Sequence, residues 1–170
     1  MTSQRELISR MVTLGLEAGA EVRFCADGRS MLPLVRPGDE VVLGAAGQAP
    51  PKTGEVVAVQ GMPDGGLLLH RVVRLDGERF TLRGDNTKVA NGEFEVAELI
   101  GVVTRVERRG RSVWFGPGRL GRPVAWAVRN GLVWRVNRAV YGARRRLRRR
   151  LKFGRADSRL PEHEGDEGNE

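Results

Sequence analysis

Cysteine is nearly missing from this chain of 170 residues: Cys25 stands alone. That excludes an internal disulfide framework and a Cys-rich zinc site, though it does not fix the compartment. Long apolar runs are missing too. None approaches the roughly 18 residues that a membrane-crossing helix needs. A secretory leader is not indicated, because Arg5, Glu6 and Arg10 interrupt the N-terminal stretch and Glu17 follows Leu16. These absences point to a soluble or peripheral protein on the cytoplasmic side. Histidine is confined to His70 and His163, and lysine to Lys52, Lys88 and Lys152 among 29 basic residues. What is present is enough for one folded domain, since 40% of the residues are apolar and wholesale disorder is thereby excluded.

Charge is divided along the chain rather than spread over it. The whole carries a formal +8. Residues 1–119 hold 16 basic and 15 acidic groups, residues 120–155 hold 12 basic groups and no acid, and residues 156–170 hold one Arg against six acids. The body is thus almost neutral, and the basicity belongs to a C-terminal arm that precedes an acidic tail read as disordered. Four segments are expected on this basis: an N-terminal amphipathic helix (1–20), a β domain (21–119), a basic helical arm (120–155) and the tail (156–170).

Local patterns support that division. Ser3-Gln4-Arg5-Glu6 fits a capping box, and Leu7, Ile8, Met11, Val12 and Leu14 follow at helical spacing, which predicts a helix over about residues 3–18 ending near Gly15 or Gly19. From residue 21 to 115 the texture is short β-like runs: Glu21–Cys25, Glu40–Leu43, Glu55–Gln60, Leu67–Leu75, Arg79–Arg83, Leu99–Arg108 and Ser112–Phe115. Pro37-Gly38-Asp39, Pro63-Asp64-Gly65-Gly66 and Asp76-Gly77 separate them as turns, and the last is a hairpin signal. Many short strands at this spacing predict a mainly β, coiled antiparallel sheet or barrel. Beyond Gly116-Pro117-Gly118 a helix is expected from about Pro123 to Phe153, with Trp126, Trp134 and Tyr141 interleaved among apolar positions and an Arg cluster at 144–150.

Three segments could carry chemistry. Ser30 follows a Gly-containing turn in Asp27-Gly28-Arg29-Ser30-Met31-Leu32-Pro33. A turn serine is ordinarily a cap, yet acyl chemistry needs a hydroxyl where backbone N–H groups converge on an oxyanion, and a glycine lets the backbone come close. His70 ends the apolar run Leu67-Leu68-Leu69 and is the one histidine of the body. Imidazole is the usual base for a serine nucleophile, although a lone histidine is more often structural. Asp85, in Gly84-Asp85-Asn86, is either a turn former or the carboxylate that orients the imidazole.

Taken in order, these boxes resemble the serine peptidases of the signal-peptidase and SOS-repressor (LexA-like) clan. The matching segments are Ser30-Met31-Leu32-Pro33, Pro37-Gly38-Asp39 before Glu40-Val41-Val42, Gly54-Glu55-Val56-Val57, His70-Arg71-Val72-Val73 and Gly84-Asp85-Asn86. The resemblance covers roughly residues 21–105. It implies a coiled β core, a Ser30 nucleophile, a His70 base in place of the commoner lysine, a peptide or protein precursor as substrate with small residues before the cut, and no cofactor or metal. It also implies substrate or oxyanion roles around Gly28, Arg29 and Met31. Position 28 is glycine where signal peptidases often place an oxyanion serine, so backbone N–H groups, Ser30's included, are the expected donors. The Ser-His branch adds a second aspartate after Gly-Asp-Asn, but Thr87–Glu98 offers only Glu93, Glu95 and Glu98 as acids. The third role therefore stays open between Asp85 and no residue. Only residues 1–29 precede the serine, where a membrane anchor is usual in the family.

A self-cleaving repressor fits less well, because Ala18-Gly19 lies close to Ser30 and no helix-turn-helix fits before it. A non-enzymatic alternative is an inactive or non-secretory peptide-binding member. In either case the Arg-rich arm suits an anionic membrane surface, with nucleic acid the less favoured partner. Oligomeric state is not legible.

Overall fold

A computed structural model describes residues 4–47, 49–60 and 65–154. Helix α1 (Gln4–Glu17) leads into eight strands: β1 (Val22–Cys25), β2 (Glu40–Ala45), β3 (Val56–Gln60), β4 (Leu67–Asp76), β5 (Arg79–Arg83), β6 (Glu93–Glu95), β7 (Leu99–Arg108) and β8 (Arg111–Ser112). Helices α2 (Gly121–Arg129) and α3 (Leu132–Gly154) follow. The strands form one antiparallel, curled sheet in the order β1-β2-β7-β3-β4-β5-β6, with β8 added on β7. The mainly β fold expected from the strand pattern is what the chain adopts.

The strands form where apolar residues can be buried on both faces. Val56 and Ala58 of β3 face one core cluster together with Val41, Leu43 and Val106, while Val57 and Val59 face another with Val72 and Leu82. A continuous Val-Val-Ala-Val run is the sequence of a strand covered on both sides. The Asp76-Gly77 hairpin forms as expected: Asp76 pairs with Arg79, and Gly77 takes the left-handed φ of +60° that the tight turn requires.

Several expectations are corrected. The Ser3 cap and the Pro63-Asp64 part of one turn lie outside the described residues. Helix α1 runs through Gly15, where a Cβ would stand 2.8 Å from Val22 Cγ2. The glycine there is a packing requirement, and the chain leaves the helix at Gly19 instead (φ +79°). Val12 and Leu16 are the buried side of α1, while Leu7, Met11 and Leu14 are exposed. Residues 93–95 form an unanticipated edge strand. The expected strand Ser112–Phe115 is reduced to Arg111–Ser112. The single C-terminal helix is two, because Gly131 adopts φ +70° and donates to Val128 O, a left-handed cap that ends α2. The chain divides into two compact units after Asn137, inside α3, rather than at residue 119.

Candidate active site

The segment containing Ser30 is a loop closed at its neck. Ala26 N–H donates to Asp39 O (2.8 Å) and Gly38 N–H to Ala26 O (2.7 Å). Asp39 locks the second half: one oxygen accepts from Arg36 N–H, and both accept from Arg108, Nε and Nη2, at 2.7 Å. Burial alone would raise the Asp39 carboxyl, but these donors outweigh it and hold the group below its ordinary range. Between the neck residues, Ser30 opens a short turn in which Val35 N–H donates to Met31 O. Met31 and Val35 anchor that turn in the core.

Ser30 and His70 line one groove of about 510 Å³. One wall comes from β1 and its continuation, Phe24 to Gly28, and the other from Gly66 to His70 of β4; Arg5 and Ile8 of α1 also line it. Among the described residues, β1 and the Leu67–His70 part of β4 each carry one edge to which no strand is paired. Strand β1 is the outermost strand, paired with β2 alone. Leu67 to His70 pair with β3, and β5 joins β4 only from Arg71 onward.

Gly84 lies where the backbone of the Ser30 turn and the His70 ring both come close. A Cβ there would stand 2.8 Å from Ser30 O and 2.9 Å from His70 Nε2, distances no side chain tolerates. Absence of a side chain at this position is what lets the Gly84-Asp85-Asn86 turn press against both segments at once. Asn86 then clamps the serine turn, its N–H donating to Ser30 O (2.6 Å) and its Nδ2 to Arg29 O (3.2 Å).

Asp85 does not orient the imidazole. Its two oxygens accept from Arg71 Nε and Nη2, each at 2.7 Å, in a pair with no solvent exposure. Arg71 also donates to Gly54 O and Phe115 O. Consecutive residues of a strand point to opposite faces, so a carboxylate placed to meet Arg71 is on the wrong side of β4 for His70. Burial pushes the Asp85 carboxyl up, and the guanidinium opposes this by binding the charged form. Asp85 is therefore structural: through Arg71 it fixes the turn to the strand that carries His70.

His70 is buried, with 3% of its surface exposed. Burial lowers its pKa to about 4, partly opposed by the side chain of Asn91. Among the described residues, Nδ1 has no hydrogen bond of good geometry. The imidazole is accordingly neutral at pH 7.

Of the other residues expected at the site, Gly28 lies beside Ser30, whose Oγ is 3.8 Å from where the Gly28 Cβ would stand. Met31 lines the groove and is buried. Arg29 contributes through its carbonyl, which Asn86 holds. Gly84, Asn86, Asn91 and Asn137 were not assigned roles by the sequence reading. Asn91 falls in the Thr87–Glu98 stretch searched for an acid, where an amide was overlooked. Among the described residues no cluster of His, Cys, Asp or Glu could hold a metal, and no helix is long and apolar enough to cross a membrane. Compared with known proteins, the chain matches no family model and no curated protein.

Proposed function

We propose that the protein is a serine endopeptidase working by acyl transfer, with Ser30 as nucleophile and His70 as general base. The observation that carries this reading is that Ser30 and His70 line one groove and that Ser30 O and His70 Nε2 both close on Gly84, with strand edges at β1 and Leu67–His70 to which no strand is paired among the described residues. A neutral imidazole takes the proton of Ser30 Oγ as it attacks a scissile carbonyl, then returns it to the leaving amine. Water hydrolyses the resulting ester. Backbone N–H groups of the serine turn stabilise the oxyanion. The substrate is an extended segment of a peptide or protein precursor, added as a strand between β1 and the start of β4, where main-chain hydrogen bonds provide binding and small apolar pockets provide selection.

Incubation with a pool of unstructured peptides tests this. Wild type is expected to cleave a subset at defined bonds, and Ser30→Ala and His70→Ala to cleave none. Peptides that bind in the groove but emerge intact from wild type would replace the peptidase with a peptide-binding protein.

Exposed aromatic and basic residues on α2 and, separately, on the later part of α3 support a peripheral location at the inner face of a membrane. On α2, Trp126 is 62% exposed, with Arg122 four residues before it and Arg129 three after it, both at helical spacing. The later part of α3 carries the Arg144–Arg146 cluster, and no acid occurs from residue 108 to 156. Basic residues beside an exposed tryptophan match the charge and depth of an anionic lipid interface. Co-sedimentation with phosphatidylserine vesicles is expected at low salt, reduced by Trp126→Ala and by neutralising Arg144–Arg146. Equal retention on neutral vesicles, or preference for nucleic acid, would overturn the assignment.

A further inference from the structure

Three carbonyls around the nucleophile, those of Arg29, Ser30 and Leu32, accept hydrogen bonds from two asparagines far from them in sequence. Asn86 supplies its N–H to Ser30 O and its Nδ2 to Arg29 O. Asn137, on the first part of α3, donates from Nδ2 to Leu32 O (2.9 Å) and to Asn86 Oδ1 (3.1 Å). Asn137 is buried, 8% exposed, so these bonds are shielded from competing water.

The consequence follows from peptide planarity. A peptide unit turns as one rigid plane, with its N–H directed opposite to its C=O. Holding Arg29 O therefore aims Ser30 N–H, and holding Ser30 O aims Met31 N–H. These are the two amides next to the attacking oxygen. The bond from Asn137 to Asn86 Oδ1 also decides the amide's orientation, because it leaves Nδ2 of Asn86 as the group presented to Arg29 O.

Resting on the serine-nucleophile reading above, we propose that Asn137 is a positioning residue for Ser30 and its flanking backbone amides. It acts on Leu32 directly and on Arg29 through Asn86. It touches neither substrate nor the reacting atoms in this role. Residues expected to form a separate arm thus begin inside the catalytic scaffold, which agrees with a compact unit that ends at Asn137.

The test uses the full chain and a fluorophosphonate probe, with the maximal rate of Ser30 modification separated from the probe's half-saturating concentration. Wild type, Asn137→Ala and the isosteric Asn137→Asp, which loses both donors without leaving a cavity, are compared at a temperature where circular dichroism shows each folded. Misplaced donors are expected to lower the maximal rate about 10- to 100-fold, with half-saturation unchanged within about twofold. Asn86→Asp, which removes the donor to Arg29 O, is expected to show a loss of the same kind and not to add fully to that of Asn137→Ala. It also carries the test if neither Asn137 variant folds. A folded variant that modifies Ser30 at the wild-type maximal rate overturns the positioning role. Failure of wild type itself to be modified at Ser30 overturns the serine-nucleophile reading instead, so the two failures are distinct.

Discussion

The two halves of the candidate dyad are held in opposite ways. Ser30 sits in a turn whose neighbouring carbonyls are pinned by Asn86 and Asn137 and whose loop is closed by Asp39 and Arg108. His70 is fixed by its strand and by burial, and its Nδ1 has no bond of good geometry among the described residues. The proposed nucleophile is thus positioned by directional bonds, whereas the proposed base is tuned by desolvation. Buried carboxylates are present in the scaffold, but Asp85 and Asp39 are each committed to an arginine. The fold uses its charges to place segments, and among the described residues none serves the imidazole as a counter-ion.

That contrast can be broken most severely at Arg71. Arg71→Met would leave Asp85 buried and unpaired, and losing one partner of a buried pair costs about 3–5 kcal/mol. Urea unfolding should report a loss of that order. A loss below 1 kcal/mol would mean that the Asp85 turn is not held through this pair.

The next effect belongs to the base. The His70 pKa is about 4 in the fold against an ordinary 6.5, so the unfolded chain binds the extra proton between those values. Stability from this group is full above about pH 6.5 and is lost as pH falls through 4, by about 3 kcal/mol in all. The drop should be absent in His70→Gln, compared by denaturant titration at pH 7 and pH 4. Equal pH dependence in both proteins would assign the acid loss to other groups.

Asn91→Asp sharpens the comparison by giving the base what the nucleophile already has, a directional partner. A carboxylate beside the ring is expected to raise the His70 pKa toward its ordinary range and to stabilise the imidazolium formed during attack. Ser30 modification at pH 7 should rise by about tenfold, with the acid limb of the rate profile moving to higher pH. No change in either would place Asn91 outside the base's functional surroundings.

The smallest effect lies on the surface, where Arg79 meets Glu95 at 2.9 Å with both side chains more than half exposed. Arg79→Ala should change stability by less than about 1 kcal/mol. A larger loss would show that the β5–β6 edge depends on that pair more than on the stacking of Phe80 with Phe94.

Much of this architecture was legible because its physics is local. The Val-Val-Ala-Val run of β3, the Asp76-Gly77 hairpin and the Pro37-Gly38-Asp39 turn each carry their structure in adjacent residues. Strand β6 does not: Glu93-Phe94-Glu95 is extended because it pairs with Thr81, Phe80 and Arg79, and Phe94 is buried on Phe80. Ser30 and His70 stand out in the sequence as members of ordered boxes, and the fold brings both to one groove. The partner of Asp85 was not, since Arg71 and His70 are adjacent in sequence and only the sheet decides which face the carboxylate meets. The role of Asn137 had no local signal, because its acceptors Leu32 and Asn86 lie in distant segments.

The most direct measurement is the site and rate of fluorophosphonate modification at pH 7 in wild type and His70→Ala, with the adduct located by peptide mapping. The account predicts an adduct on Ser30 in wild type and a rate at least about 100-fold lower without the imidazole. Modification of another residue, or equal rates in the two proteins, would contradict it.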